Sequence, residues 1–327
     1  MMNKDGFLLA RRQHFLSFEA FQDFFLVWDE YHEWFLHNPQ GSGSTPREGW
    51  LLSKSTVAED LWCRLNLYYT AGYPIDLLRD ELEAFVRALE VYTEALREWH
   101  GDPVYPPFLL AELDHYEQLI QLIGLCYLLH RQDLLPRIAA LQDGWFAGED
   151  VLYEDFLTFG LADRFAADEL FHFKAYTDLH DALYAEEEGK AQAESHLLQY
   201  VKRWYKTSMK GLPWHDAHLE PNQAGYFGYW CFEAGAAVLL QGLDDSQLRE
   251  FPYYPKDMVD WAKRYQADSP VNRQGRCEAG KPCPQAGIWW TPAKPGLHRM
   301  FTLGELMPDF PDSSFGATIW YLNTSQG

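Results

Sequence analysis

Apolar residues recur at steps of three and four through most of the first two-thirds of this chain of 327 residues. This spacing places side chains on one face of an α-helix, where they are buried together. The clearest run consists of seven apolar or aromatic residues: Leu78, Leu82, Phe85, Leu89, Tyr92, Leu96 and Trp99. The segment Leu109–Leu129 is apolar nearly all round, which predicts a central buried helix. The pattern therefore predicts a mainly α-helical protein.

Turn-forming residues separate the periodic segments. The stretch "NPQGSGSTPREG" (Asn38–Gly49) predicts a flexible loop, and "HGDPVYPP" (His100–Pro107) ends a helix because proline cannot continue one. Helices joined by such short breaks favour packed antiparallel hairpins, arranged as a bundle or a solenoid. Further helices are predicted from Phe21 and over Val57–Thr70, Leu78–Trp99, Leu134–Leu141, Leu152–Ala162, Asp168–Ala185 and Ala191–Thr207.

The composition changes after Ala267. Turn formers dominate "DSPVNRQGRCEAGKPCPQAG", and "IWW", "RMF" and "ATIWYL" are short aromatic and β-branched runs typical of strands. We therefore expect a helical N-terminal region over residues 1–200, a helical module over 201–266, and a small β-containing tail over 267–327.

The net charge restricts the possible partners. The chain has 48 Asp and Glu against 27 Lys and Arg, a net charge of −21. Such a field repels nucleic acid and anionic membranes, and it attracts basic proteins. The acids are concentrated between Ile138 and Asp163 and between Asp178 and Gln199. A solvated helix face also explains any one such run, so charge alone leaves solubility and a basic partner as alternatives.

Cysteine usage and hydropathy indicate the compartment. Three of the five cysteines lie in helix-like apolar patterns, as expected of buried thiols in a reducing environment. The first residues lack the features of a signal peptide, and the most apolar window, Leu119–Leu129, is too short to span a membrane. We expect a soluble cytoplasmic protein.

One histidine cluster is a candidate for metal chemistry. "WHDAH" contains His215, Asp216 and His218, and Cys277 and Cys283 complete a ligand set if the tail folds back. The spacing is not that of the helical His-Glu-x-x-His motif, and a helix cap with a hydrogen-bonded histidine is a simpler explanation. Phosphate-binding loops and a nucleophile elbow are absent from the sequence. We expect no metal, cofactor or catalytic residue, with a metal-dependent hydrolase using this cluster as the alternative.

Glu233 is the most unusual acid in the sequence. On a helix, Tyr226, Trp230, Glu233 and Ala237 share one face. A carboxylate among large aromatics is expected to be half-buried, which is costly unless it is paired or hydrogen-bonded. The expected partner is an Arg, Lys, Tyr or His of a neighbouring helix. We favour a structural role over a catalytic one, because buried acids with shifted pKa values also occur in structural networks.

The same region resembles a known family. "GYWCFEAGAAVLLQGLDDSQLREFPYYPKDMVDWAK" is similar to the signature of the PoNe-immunity (PoNi-like) domain, and the resemblance covers Val201–Tyr265. A weaker match, "YYTAGYPIDLLRDELEAF" (Tyr68–Phe85), resembles the helical half that often precedes this domain. The residues of the motif to which we assign structural roles are Tyr229, Trp230, Glu233, Tyr253, Tyr254, Pro255 and Asp257.

The resemblance implies a cytoplasmic immunity protein that neutralises a secreted polymorphic toxin, often one delivered by a type VI secretion system. In the named subgroup the toxin resembles a nuclease. A nuclease must attract phosphate, so its cleft is usually basic, and an inhibitor can offer carboxylates in place of the phosphates. The tail "RCEAGKPCPQAGIWWTPAKPG" departs from a minimal PoNi-like domain. A helical scaffold for other host proteins is a further alternative.

Acids at helix connections are the candidate contacts with the toxin. Connections are usually exposed and free to vary with the partner, so we expect these side chains to lie on the surface. Two acidic edges meet this description: Glu149, Asp150, Glu154 and Asp155, and Glu186, Glu187 and Glu188.

Overall fold

The computed structural model describes residues 3–37, 43–185, 189–268, 276–283, 286–291, 293–294, 297–302, 304–310 and 318–322. The chain divides into two compact units, Met1–Asp260 and Trp261–Gly327. The predicted mainly helical class is confirmed. The helices are α1 (Lys4–Ala10), α2 (Phe18–His37), α3 (Pro46–Thr70), α4 (Ile75–His100), α5 (Leu113–Leu128), α6 (Leu135–Phe146), α7 (Val151–Thr158), α8 (Phe173–Tyr184), α9 (Lys190–Arg203), α10 (Phe232–Gln241) and α11 (Lys256–Asp268).

Helix α3 begins earlier than the sequence predicts. The side chain of Thr45 accepts a hydrogen bond from the backbone N–H of Glu48, and Pro46 occupies the first turn, where its missing N–H has no cost. The prediction of a loop that extends to Gly49 is therefore wrong for residues 46–49. Residues 38–42 of that predicted loop lie outside the described part of the chain.

Pairs of helices build the core of the first unit. Helix α3 packs against α4, α8 against α9, and α5 against α10. Helix α5 is the central element, since every residue from Leu119 to Leu128 is buried, as predicted. Gly124 allows the close approach of α10, because a Cβ at this position would lie 3.1 Å from the Cα of Glu233.

The chain changes direction just before α10. Gly228 has a φ of 122°, which side chains rarely adopt, and a Cβ there would collide with the hydroxyl of Thr70. Helix α10 consequently begins at Phe232. The expectation that Tyr226 and Trp230 share a helical face with Glu233 is wrong, because both residues precede the helix.

The second unit contains a four-stranded antiparallel sheet. Its strands are β1 (Arg276–Glu278), β2 (Gly287–Trp290), β3 (His298–Phe301) and β4 (Ile319–Leu322), in the order β1-β4-β2-β3. Strands β2, β3 and β4 coincide with the three predicted runs, whereas β1 lies in a stretch interpreted as turns. A small core holds the sheet together: Cys277, Cys283, Trp289, Phe301, Met307 and Trp320.

The predicted division of the helical part at residue 200 stays a prediction. Among the described helices, none combines the length and the apolar character that a membrane span requires.

Candidate functional site

A cleft of about 420 Å³ opens on the first unit. It is lined by α3 and α4, by the start of α5, and by the segment from Trp204 to Trp230. Glu59, Pro213 and Gly225 are exposed members of its lining, so the cleft is open to solvent. The lining joins segments that are far apart in sequence.

Aromatic rings form much of the cleft wall. Trp62 contacts Phe85 with 5.1 Å between ring centroids. On the opposite side, Trp204 and Trp214 stack at 5.3 Å. Trp230 is buried, and its indole N–H donates to the hydroxyl of Thr70 at 2.7 Å. These contacts hold the rings in fixed positions around the opening.

The charged groups of the cleft are all acidic. Glu59 and Asp114 line it beside the buried acid Glu117, and the described lining includes neither Lys nor Arg. The Nδ1 of His115 accepts the backbone N–H of Leu109 at 3.1 Å. The cleft is thus a site of negative potential.

Glu117 links the cleft to the buried interior. Its carboxylate accepts a hydrogen bond from the side-chain amide of Gln121. Burial, and then the charge of Glu233, raise the pKa of Glu117 well above its ordinary value. The sequence analysis missed Glu117, because a carboxylate within an almost uniformly apolar helix is a signal only once its neighbours are known.

Glu233 lies behind this wall and is completely buried. Its Oε1 accepts the hydroxyl of Tyr200 at 2.6 Å and the indole N–H of Trp204 at 2.9 Å. Its Oε2 has no hydrogen-bond partner within the described residues. Burial raises the pKa of Glu233 to about 7, and the bonds from Tyr200 and Trp204 oppose that rise. A tyrosine of the neighbouring helix α9 is therefore one of its partners.

The first part of the family-like motif is held by the N-terminal segment. The amide of Gln13 donates to the backbone oxygens of Tyr229 and Pro252 at 2.6 and 2.9 Å. Its oxygen accepts the Tyr226 hydroxyl at 2.6 Å and the Tyr229 N–H at 2.9 Å. Gln13 satisfies four polar groups at once, and no periodicity in the sequence points to it.

The second part of the motif surrounds the start of α11. Tyr253 stacks on Tyr205 with 4.8 Å between ring centroids, and the Tyr254 hydroxyl donates to Asp245 at 3.0 Å. Pro255 is buried. Asp257 is exposed and accepts a hydrogen bond from Arg12 at 3.2 Å.

The histidine cluster is occupied by other contacts. His215 lies 3.2 Å from Asp216 and 2.9 Å from the backbone oxygen of Tyr205. His218 instead pairs with the hydroxyl of Tyr229, 2.8 Å from its Nδ1. Within the described residues, which include Cys277 and Cys283, no group of three His, Cys, Asp or Glu side chains is placed to hold a metal ion.

The first acidic edge divides into surface and core residues. Glu149 is exposed, whereas Asp150 and Glu154 are 0% and 2% exposed. The expectation that Asp150 and Glu154 lie on the surface is wrong. Asp150 caps α7 by accepting the N–H of Tyr153 at 2.8 Å, and Glu154 forms a salt bridge with Arg164 at 2.8 Å.

The other acids predicted to contact the toxin are Asp155 and the three glutamates of the second edge. Asp155 is half-buried and accepts the hydroxyl of Tyr184 at 3.0 Å. Glu186, Glu187 and Glu188 lie outside the described residues, so the second acidic edge stays a prediction.

Residues 148–258 match the family model described as PoNe immunity proteins (PoNi), C-terminal. Over these residues the chain is similar to the PoNi-like family, in agreement with the resemblance seen in its sequence. The matched range includes Glu233, the first acidic edge and one wall of the cleft. This similarity implies an immunity protein that binds a cognate toxin.

A solved structure supports the fold. The crystal structure of protein PA2201 from Pseudomonas aeruginosa is 21% identical to the chain, covers 79% of it and 92% of its own length, and gives a TM-score of 0.55. This similarity concerns the fold alone. A comparison with curated proteins gave no match.

Proposed function

We propose that this PoNi-like protein neutralises its cognate secreted toxin by stoichiometric binding in the cytoplasm, without turnover of its own. The toxin is a nuclease delivered by a type VI secretion system. The observation that carries the proposal is the family match over residues 148–258, which contains the exposed Glu149 and one side of the acidic cleft.

Electrostatics supports a basic partner. The net charge of −21 produces a long-range attraction for a protein with a basic surface, which raises the association rate. A nuclease has such a surface where its substrate's phosphates bind. Carboxylates that occupy this surface exclude nucleic acid from it, so binding alone accounts for inhibition.

Growth rescue tests the proposal directly. The toxin encoded beside this gene is expressed in a sensitive bacterium, with or without the PoNi-like protein. We expect growth to stop with the toxin alone and to recover in the presence of both proteins. An unrelated acidic protein at matched abundance is the control. Persistent toxicity despite stable expression of the PoNi-like protein would exclude the immunity function.

Nuclease activity is tested with the purified proteins. We expect the toxin to degrade DNA, and one equivalent of the PoNi-like protein to stop the degradation. If the toxin leaves DNA intact but still kills cells that lack the PoNi-like protein, immunity is retained as the function and the nuclease assignment is discarded.

Charge reversal tests the acidic edges. Glu149→Lys is expected to slow association with the toxin. The activation free energy of association should rise by no more than about 1 kcal/mol. Glu187→Lys probes the second edge. Stopped-flow measurements at low and high salt provide the readout, because screening should reduce the difference from the unmodified protein.

The control for these variants is Glu94→Lys, which makes the same charge change on an exposed position of α4. Glu94 lies outside both edges. If both edge variants associate with the toxin at low salt as fast as Glu94→Lys does, neither edge belongs to the interface.

A further inference from the structure

The acidic aromatic cleft is open to solvent. We propose that it binds one basic side chain of the partner protein, and that arginine is the residue it accepts best. This inference rests on the proposed function, since it specifies the chemistry by which the toxin is held.

The first support is uncompensated negative charge. Glu59 is exposed, and no described basic residue forms an ion pair with it. Asp114 accepts only the backbone N–H of its neighbour His115 among the described hydrogen bonds, at 3.0 Å. By contrast, nearby acids on the outer face of α4 are already paired, as Glu81 is with Arg64 at 2.7 Å. The cleft therefore offers carboxylates that still lack a cation.

The second support is the arrangement of aromatic rings around these carboxylates. Trp62, Tyr92 and Trp214 line the cleft and are only partly buried, so part of each ring surface remains accessible. A cation over an aromatic face gains about 0.5–2 kcal/mol, the larger value applying where water is excluded. The planar guanidinium group of arginine stacks on aromatic rings and pairs with carboxylates at the same time, which an ammonium group does less well.

The third support is size. A volume of about 420 Å³ lies near the lower limit of small-ligand sites, which span about 300–1,000 Å³. This space accommodates one long side chain inserted from an opposing surface rather than a segment of folded chain. Anchors of this kind, an arginine within a desolvated aromatic pocket, often dominate the energy of an interface.

The site can be tested without the toxin. N-acetyl-arginine amide is titrated into the protein, and the intrinsic tryptophan fluorescence is followed because four tryptophans line the cleft. We expect a saturable change with a Kd on the order of 1 mM, since a single side chain contributes only a few kcal/mol. N-acetyl-citrulline amide, which has the same shape without the charge, should bind at least about tenfold more weakly.

Two variants locate the binding. Glu59→Lys should abolish the fluorescence change, and Glu59→Gln should weaken it. Both substitutions are at an exposed helical position, so folding should be retained, and circular dichroism verifies this. Glu94→Lys on α4 is the matched control and should bind as the unmodified protein does. Equal responses to arginine and citrulline, no saturable response, or unaltered binding by Glu59→Lys would each overturn the inference.

The outcome for the cleft is separable from that for immunity. If the unmodified protein rescues growth but does not bind the arginine amide, the cleft inference fails and the immunity function is retained. If it binds the amide but gives no rescue, the immunity function fails. If the unmodified protein both rescues growth and binds the arginine amide, Glu59→Lys should also weaken toxin binding about tenfold or more relative to Glu94→Lys. An equal affinity of these two variants for the toxin would overturn the inference that the cleft holds a side chain of the toxin.

Discussion

Replacing Glu233 with alanine is expected to lower the free energy of unfolding by about 3–5 kcal/mol. The substitution leaves the Tyr200 hydroxyl and the Trp204 indole N–H buried without their acceptor, and it opens a cavity beside these two side chains. Such a loss is a large fraction of the stability of a typical domain, which is about 5–15 kcal/mol. Urea denaturation at pH 4.5, where the contribution of Glu233 is present, measures this loss by circular dichroism.

Glu233→Gln is the matched control, because its amide oxygen still accepts from Tyr200 and Trp204. We expect this variant to retain most of the stability at pH 4.5, because the neutral amide resembles the protonated acid. Toxin affinity supplies a second readout. If Glu233→Ala abolishes binding while the free energy of unfolding is unchanged, Glu233 belongs to the interface and not to the core.

The pH dependence of stability has a defined sign. The folded state holds the pKa of Glu233 at about 7, above its ordinary value of 4.5, so folding favours the protonated acid. Its contribution is fully present below pH 4.5 and is lost as the pH rises to 7, a loss of about 3 kcal/mol. Glu117 acts in the same direction, since its pKa is also raised. Glu233→Gln should therefore flatten this part of the stability curve without removing all of its slope.

Periodicity predicted the helices well because burial of one face is a local property of the sequence. The seven residues of the run from Leu78 to Trp99 lie within α4, and the apolar segment from Leu109 contains the buried α5. The start of α3 was misplaced since its cap, Thr45, lies among glycines and serines that indicate a loop. Two or three residues determine where a helix is capped, so a cap is easily missed in a stretch whose overall composition indicates a loop.

The exposure of acids was harder to predict, because it depends on groups far away in sequence. Asp150 is adjacent to a connection, yet the Tyr116 hydroxyl, 34 positions before it, donates to it at 2.9 Å. The same limitation applies to the candidate cleft, which combines α3, α4 and α5 with the distant segment from Trp204 to Trp230. Charge patterning identifies acidic regions, but it does not distinguish a solvated carboxylate from a buried one.

Arg164 explains the burial of Glu154 in the first acidic edge, and the replacement of Arg164 is the second large effect expected. The Arg164 side chain is only 7% exposed. It donates to both oxygens of Asp143 at 2.7 and 2.9 Å, and to those of Glu154 at 2.8 and 3.0 Å. Arg164→Ala leaves two adjacent carboxylates without their cation. We expect a loss of about 3–5 kcal/mol in the free energy of unfolding at pH 7, measured by urea denaturation.

Arg164→Lys separates the charge from the geometry. A lysine keeps the positive charge but cannot make the paired bonds of the planar guanidinium group, so we expect a stability between those of the native protein and Arg164→Ala. Adding Glu154→Gln to Arg164→Ala should recover part of the loss, because it removes one of the unpaired charges. If the double variant is no more stable than Arg164→Ala, repulsion between Asp143 and Glu154 is not the cause. The loss would then come from packing around the guanidinium, which lies 5.5 Å from the ring centre of Tyr153.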